Sequence, residues 1–262
     1  MAQAYPRTAA ISPRVEVVAS TGSTNADAVA RASADPSAWP HLSLLLTHDQ
    51  RAGRGRLDRS WTAPPGTSLA VSVVVRIGSI PPASRGWIPL VAGAAMTRAV
   101  SAQLHGSHSV GLKWPNDVLV DGGKICGILA EMVPGEDAVV IGSGINTSMS
   151  RADLPVATAT SFAALGRVAD DDRLLADYLV ALDEQLAALA HGRAAEAGVR
   201  SEVEALCTTL GQRVQVSLPD GSQLVGHAQR LDDGGRLVVE VGGREIAVSA
   251  GDVVHVRGSG AD

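Results

Sequence analysis

The sequence predicts an α+β fold: one mixed β-sheet with helices packed on it, followed by a small C-terminal β-barrel. Three observations carry this. Strand-like and helix-like stretches follow one another without the regular βα alternation of a parallel sheet. The segment "LVDGGK", residues 119–124, joins two strands by a two-residue Asp-Gly turn, which makes them an antiparallel pair. Beyond Gly211 the chain changes to short alternating strands punctuated by "PDGS", "DDGG", "VGGR" and "SAGD", the spacing of a small barrel. With 262 residues, 45% of them hydrophobic, the chain is long enough for one full core and such an appendage.

Residues 1–13 are rich in Ala, Pro and Ser without periodicity and read as a flexible tail, residues 14–210 as the main domain and 211–262 as the barrel. "VEVVAS" from Val15 is a strand. "STNADAVARAS" is a helix opened by a Ser23 or Thr24 cap, with Asp27 three residues past Thr24 giving a capping-box-like start. Two strands, "LSLLLTH" at 42–48 and "TSLAVSVVVR" at 67–76, bracket an arginine-rich loop. A helix runs from about Trp87 to Leu104, with Pro89 in its first turn, where a missing N–H does no harm. Residues 110–132 read as strand, proline turn, strand, Asp-Gly turn and strand, and "DAVVIGSGINT" as a strand ending in a glycine-rich turn. "DRLLADYLVALDEQLAAL" puts Leu175, Leu179, Leu182, Leu186 and Leu189 on one helical stripe, the pattern of plain core packing.

Composition excludes several classes. A formal net charge of -5 does not suit a general nucleic-acid binder, which presents a basic face to phosphates. Cys126 and Cys207 are far apart and lack a C-x-x-C spacing, so they signal neither a disulfide framework nor a structural zinc site. The first residues lack the apolar run of a signal peptide, and no stretch reaches the roughly 18 apolar residues of a membrane span. The expectation is a cytoplasmic protein with no DNA and no membrane partner.

Against that acidic background stands "QRAGRGRLDRSW", residues 50–61. Across residues 49–59, Arg51, Arg54, Arg56 and Arg59 face only Asp49 and Asp58, a local charge of +2, so the rest of the chain carries -7. Gly53 and Gly55 make the loop pliable and let backbone N–H groups approach an anion, while guanidinium forks bind phosphate oxygens in pairs. One arginine about 4 Å from a phosphate charge gains about 4 kcal/mol at an effective dielectric of about 20, before desolvation. Two or three such contacts would order the loop around an anionic ligand; the bland alternative is a solvated basic loop. Walker A spacing and the G-x-G-x-x-G dinucleotide pattern are both missing, and "GSGIN" at 142–146 is on its own a turn. The chain has only two lysines, Lys113 and Lys124. Lysine kept at just these positions points to a compact point charge directed at triphosphate oxygens or a carboxylate.

Four stretches in order, "STN" at 23–25, "QRAGRGR" at 50–56, "KWPNDVLVDGGKICGIL" at 113–129 and "IGSGINT" at 141–147, closely resemble biotin protein ligases. "ATS" at 159–161 and the barrel ending "GDVVHVR" extend the resemblance over most of the chain. It implies the biotin/lipoate ligase-like fold with an SH3-like C-terminal barrel. It also implies an ATP-dependent ligase that joins biotin to ATP, giving biotinyl-5′-AMP and pyrophosphate, and then passes biotin to one lysine of a biotin carboxyl carrier domain. Biotin, ATP and Mg²⁺ would be the small molecules required. The roughly 20 residues ahead of Ser23 are too few for a three-helix DNA reader, so the monofunctional form is expected.

By the same resemblance Ser23, Thr24 and Asn25 match the site for the biotin ureido ring, and Gln50 and Gly53 join them. Gly127 lies in a strand, where glycine weakens packing unless a group must come close, and biotin is the expected neighbour there and at Gly142. Arg54, Arg56 and Lys124 are the expected catalytic cations, placed for both the biotin carboxylate and the α-phosphate, whose mutual repulsion calls for fixed positive charge. Arg59, Trp61, Lys113, Asn116 and Asn146 complete the expected nucleotide site, with Trp61 able to stack on a ligand ring. Asp117 is the expected carboxylate for Mg²⁺, which takes few protein oxygens and shares the rest with phosphates. Asp58 stands where the family carries glycine, a rigid anion in place of a flexible residue. The ordinary alternatives are a helix cap for Ser23 or Thr24, a core role for Trp61 and backbone-bonding turn residues for Asn116 and Asp117. Lipoate and octanoate transferases share the fold but lack "GRGR" together with "KWPND", and a straight acyl chain has no use for the Ser-Thr-Asn cluster. His48 is assigned no role, and the oligomeric state and the job of the barrel are left open.

Overall fold

The computed structural model describes residues 5–57, 59–192 and 198–256. In chain order a short helix α1 (Pro6–Ala9) precedes β1 (Val15–Val17), α2 (Thr24–Ala34) and β2 (Ser43–Thr47). A two-stranded hairpin of β3 (Gly53–Arg54) and β4 (Ser60–Trp61) leads to β5 (Ser68–Arg76) and α3 (Ile88–Leu104). There follow β6 (Val110–Lys113), β7 (Asp117–Val120), β8 (Gly123–Met132), β9 (Ala138–Asn146), α4 (Asp171–His191) and α5 (Val199–Leu206). The last five strands are β10 (Arg213–Ser217), β11 (Gln223–Leu231), β12 (Leu237–Val241), β13 (Arg244–Val248) and β14 (Asp252–His255).

Seven strands form one sheet in the order β1-β2-β5-β9-β8-β7-β6. β1 pairs with β2 in parallel and the other pairs are antiparallel, which makes the sheet mixed, as predicted. The β7–β8 hairpin turns through Asp121 (φ 48°) and Gly122 (φ 80°), the left-handed pair that a two-residue turn of this kind requires. On one face α3 and α4 cover Leu69, Val71, Val73, Ile141 and Ile145, and the leucine stripe of α4 is buried there. On the other face α2 packs Ala28 and Ala32 against Leu45, Val74 and Val140. β2 and most of β5 are therefore buried on both sides, which is why they read as largely apolar runs, with Ser72 the polar interruption inside β5.

The five C-terminal strands form a second, antiparallel sheet in the order β13-β12-β11-β10-β14. Two tryptophans bolt it to the larger sheet at one turn: the Trp87 indole N–H donates to Asp233 O (2.8 Å) and that of Trp114 to Gly235 O (3.2 Å). Cys126 and Cys207 are free and buried, and burial pushes both thiols above their ordinary range. Among the described residues no helix is long and apolar enough to cross a membrane.

Three expectations need correction. Residues 5–13 are not a flexible tail: Tyr5 is buried, and Asp172 at the start of α4 accepts from the Thr8 N–H and hydroxyl, both at 2.9 Å. The Tyr5 hydroxyl also meets His48 (3.2 Å), which reaches Asp171 (3.4 Å), so a segment with no sequence periodicity is held by long-range contacts. Gly142 and Gly144 do not open a turn; they lie inside β9, paired with β5 on one side and β8 on the other. No capping box forms at α2, because Ser23 is the cap and Asp27 instead accepts from the Thr21 hydroxyl (2.5 Å). Tyr5→Ala should destabilise the protein by roughly 2–3 kcal/mol, read as a lowered melting temperature; a loose tail would give no change.

Candidate active site

Across the sheet face away from α3 and α4, one row of register-paired residues runs Ala70, Gly144, Gly127, Asp117, Lys113, a single residue from each of five adjacent strands. The next row holds Ser72, Gly142 and Leu129. Two glycines and an alanine in line leave the sheet without side chains, and a cavity of about 150 Å³ lies on this trough. The glycines give way to neighbouring protein groups. A Cβ at Gly142 would collide with the Asn25 amide, one at Gly144 would lie 2.6 Å from the Trp61 ring, and one at Gly127 3.1 Å from Lys124 Nζ.

Lys124 faces the trough because β8 carries a bulge. Val118 pairs with Cys126 but Leu119 pairs with Lys124, so Ile125 is an extra residue. Ile125 and Cys126 both point into the core, the alternation is reset, and Lys124 lies on the same face as Gly127. There its Nζ is 2.7 Å from Asp117 Oδ1.

At the opposite end the polar groups form one chain. Asn25 Nδ2 donates to Leu129 O (3.0 Å) and Glu131 Oε2 (2.8 Å), which fixes the amide orientation and leaves Oδ1 as acceptor. Ser72, fully buried, has one proton and so gives it to Asn25 Oδ1 (2.6 Å), while Thr24 Oγ1 sits 2.8 Å away on its other side. Gln50 Oε1 accepts from the Thr24 N–H at 2.8 Å, and Glu131 Oε2 also accepts from Arg54 at 2.9 Å. Both ends of the chain, Gln50 and Arg54, therefore grip the base of the arginine loop.

That loop is a small hairpin folded over the trough. Gly53 must be glycine, since a Cβ would strike the Trp61 carbonyl and the Gln50 amide. Arg56 donates to Asn116 Oδ1 (3.2 Å), and Arg59 forms a 2.6 Å ion pair with Asp252 of β14. Burial pushes the Arg56 guanidinium down from its usual value, against the opposing pull of Asp117 and Asp252. Arg59 holds the Asp252 carboxyl below the usual range, chiefly by its hydrogen bond. With its folded pKa depressed, Asp252 contributes this contact above the ordinary carboxylate range and loses it as pH falls through the lowered value. Arg51 turns away and pairs with Asp49 at the surface.

Of the residues expected from the sequence to bind biotin, nucleotide or metal, all but Gly53, Lys113 and Asn146 line the cavity. Lys113 lies one strand beyond Asp117 at the outer end of the glycine row, where its charge acts on Asp252 and His255. Asn146 is buried and donates to Thr160 O (2.9 Å), pinning the "ATS" segment beside Lys124. Asp58 lies outside the described residues. Ser72, Glu131 and Asp252 were missed. A serine inside an apolar strand was the available signal for Ser72; Glu131 and Asp252 gave none, because their partners lie 77 and 193 positions away. Among the described residues no group of three His, Cys, Asp or Glu could cage a metal, and Asp117 and Asp252 are the carboxylates lining the cavity. Such a set suits a cation that keeps most of its ligands from phosphates and water.

A glycine-floored trough under a cationic hairpin, beside a small C-terminal sheet, has known counterparts. The profile of the biotin/lipoate A/B protein ligase family matches residues 17–148, half of the chain, and that of the biotin protein ligase C-terminal domain matches residues 209–256. The biotin–[acetyl-CoA-carboxylase] ligase of Mycobacterium tuberculosis is 42% identical over 93% of this chain and 90% of its own length. The chain belongs to the biotin protein ligase family. In fold it is similar to the Aquifex aeolicus biotin protein ligase solved with biotin and ATP: TM-score 0.76, 22% identity, 93% of this chain and 99% of that one covered. The Leishmania major enzyme solved with biotinyl-5-AMP gives a TM-score of 0.62 at 20% identity, covering 94% and 99%.

Asp252→Asn should loosen the hairpin and raise trypsin cleavage after Arg54, Arg56 and Arg59 by about two- to fivefold, the size set by an exposed pair worth about 0.2–1 kcal/mol. Added salt should do the same to the unaltered protein, and unchanged cleavage in both would show that the pair holds nothing.

Proposed function

We propose that this protein is an ATP-dependent ligase that activates biotin to biotinyl-5′-AMP, releasing pyrophosphate, and then transfers biotin to a lysine of a carrier domain on a biotin-dependent acyl-CoA carboxylase. The observation that carries the reading is the polarity of the trough. One end offers the neutral Thr24–Ser72–Asn25 chain and the other Lys124 and Arg56, so a ligand with a cyclic urea at one end and a carboxylate at the other fits lengthwise. The family membership and the relative named for acetyl-CoA carboxylase support the same substrate and acceptor. ATP supply and two unpaired, reduced thiols suit the cytoplasm.

The first step joins two anions, because the biotin carboxylate attacks the α-phosphorus and expels pyrophosphate. Arg56 and Lys124, held at the meeting point by Asn116 and Asp117, offset the charge that gathers on the phosphorus. Arg59 and Lys113 would draw the departing pyrophosphate along the glycine row toward its outer end. Asp117 would hold Mg²⁺ together with phosphate oxygens, and Mg²⁺ would neutralise the triphosphate. The hairpin excludes water from the mixed anhydride, which water would otherwise hydrolyse.

Labelled biotin, but not lipoate, should be incorporated into a purified carrier domain in the presence of ATP; the reverse preference overturns the assignment. Lys124→Ala should lower biotin-dependent ATP–pyrophosphate exchange by on the order of 10²–10³ while changing biotin affinity far less, measured by calorimetry. Trp39, Trp87 and Trp114 are buried and Trp61 is half-exposed on the trough, so ligand binding should change tryptophan emission in the native protein and not in Trp61→Phe.

A further inference from the structure

A second cavity, of about 140 Å³, adjoins the first and shares Arg56, Asn116, Ile128 and Leu129 with it, so the Arg56–Asn116 hydrogen bond forms the partition. Its remaining walls are largely apolar: Pro89 and Leu90 from the start of α3, Trp114 and Pro115, and Ala130 of β8. Ser249, exposed between β13 and β14, stands at its rim. Among the described residues lining it Arg56 is the only ionisable group, and the remaining walls offer an ion no charged partner. Its chemistry suits an unbranched aliphatic stem whose polar tip stops beside Arg56.

We propose that this cavity is the entry channel for the acceptor lysine in the second half-reaction, a deepening that rests on the ligase reading above. With the trough filled and the hairpin folded over it, the nucleophile must arrive from a side the hairpin leaves open, and this cavity ends at Arg56, which also lines the trough and is one of the two cations assigned to the phosphate. An alkylammonium is no nucleophile. Apolar walls desolvate it and the Arg56 charge repels it, and both effects favour the neutral amine. The amine nitrogen then attacks the acyl carbon of the mixed anhydride. A C–N bond forms, the C–O bond to phosphate breaks, AMP leaves with the electron pair, and the proton lost by nitrogen passes to a phosphate oxygen of AMP.

Cys126 and Cys207 are buried, so Ser249→Cys creates a single accessible thiol that a bulky maleimide can modify. The same protein before and after labelling then controls for folding. After labelling, biotin-dependent ATP–pyrophosphate exchange should stay within about twofold, and transfer from preformed biotinyl-5′-AMP to the carrier domain should fall at least about tenfold. Discharge by hydroxylamine, small enough to pass the label, should be unaffected. Ala130→Leu, which narrows the channel from a different wall, should show the same split. Unchanged transfer after labelling overturns the channel alone, as does an equal fall of exchange and transfer, which would give the cavity to adenylation. If the unlabelled protein makes no adenylate and biotinylates no carrier, the ligase reading fails and the channel with it.

Discussion

A β-sheet presents a side chain at every second residue of every strand, so a trough can exist on its face only where neighbouring strands omit theirs in register. Ala70, Gly144 and Gly127 meet that condition on three adjacent strands, and Gly142 extends it by one row. The bare strip has a structural cost, because glycine weakens strands. Here it is confined to central strands whose opposite face is packed against α3 and α4, where the sheet is best supported. The space is then partly taken by Asn25, Trp61 and Lys124, which come from a helix, a hairpin and a bulge and can be positioned independently of the sheet.

Among the described residues, three of the four cations around the trough have a carboxylate partner before any ligand arrives. Lys124 faces Asp117, Arg54 faces Glu131 and Arg59 faces Asp252, while Arg56 rests on the neutral Asn116. Four cations crowded together without partners would repel one another and splay the hairpin. Three of them instead form partly exposed ion pairs worth about 0–1 kcal/mol each, weak enough for an incoming phosphate to replace. The buried Thr24–Ser72–Asn25 chain behaves differently: each group there is satisfied, and deleting one leaves another unpaired at about 1–3 kcal/mol.

Much of this was legible in the sequence where local chemistry decides it. The Asp121–Gly122 turn, the leucine stripe of α4 and the apolar runs of β2 and β5 each carry their own signal. The site was legible as a set of motifs but not as an arrangement. Strand alternation around Lys124 predicts the wrong face unless the bulge at Ile125 is known, and a bulge leaves no reliable trace in composition. Asn146 lies inside a matching motif, and its amide donates to the backbone of a neighbouring segment, a contact that motif position alone does not announce. The α1 segment shows no local signal for a related reason: its order comes from α4 and His48, more than a hundred and some forty positions away, and local periodicity contains neither.

The junction at the 232–236 turn has a mechanical consequence. Trp87 and Trp114 clamp the same few carbonyls, and Gly86 comes so close to Gly234 that no side chain could stand between them. These contacts seat the small sheet against the elements that carry Trp87 and Trp114, and its edge strand β14 brings Asp252 to Arg59 of the hairpin. Loosening that clamp would displace an anion at the cavity without altering any residue that lines it.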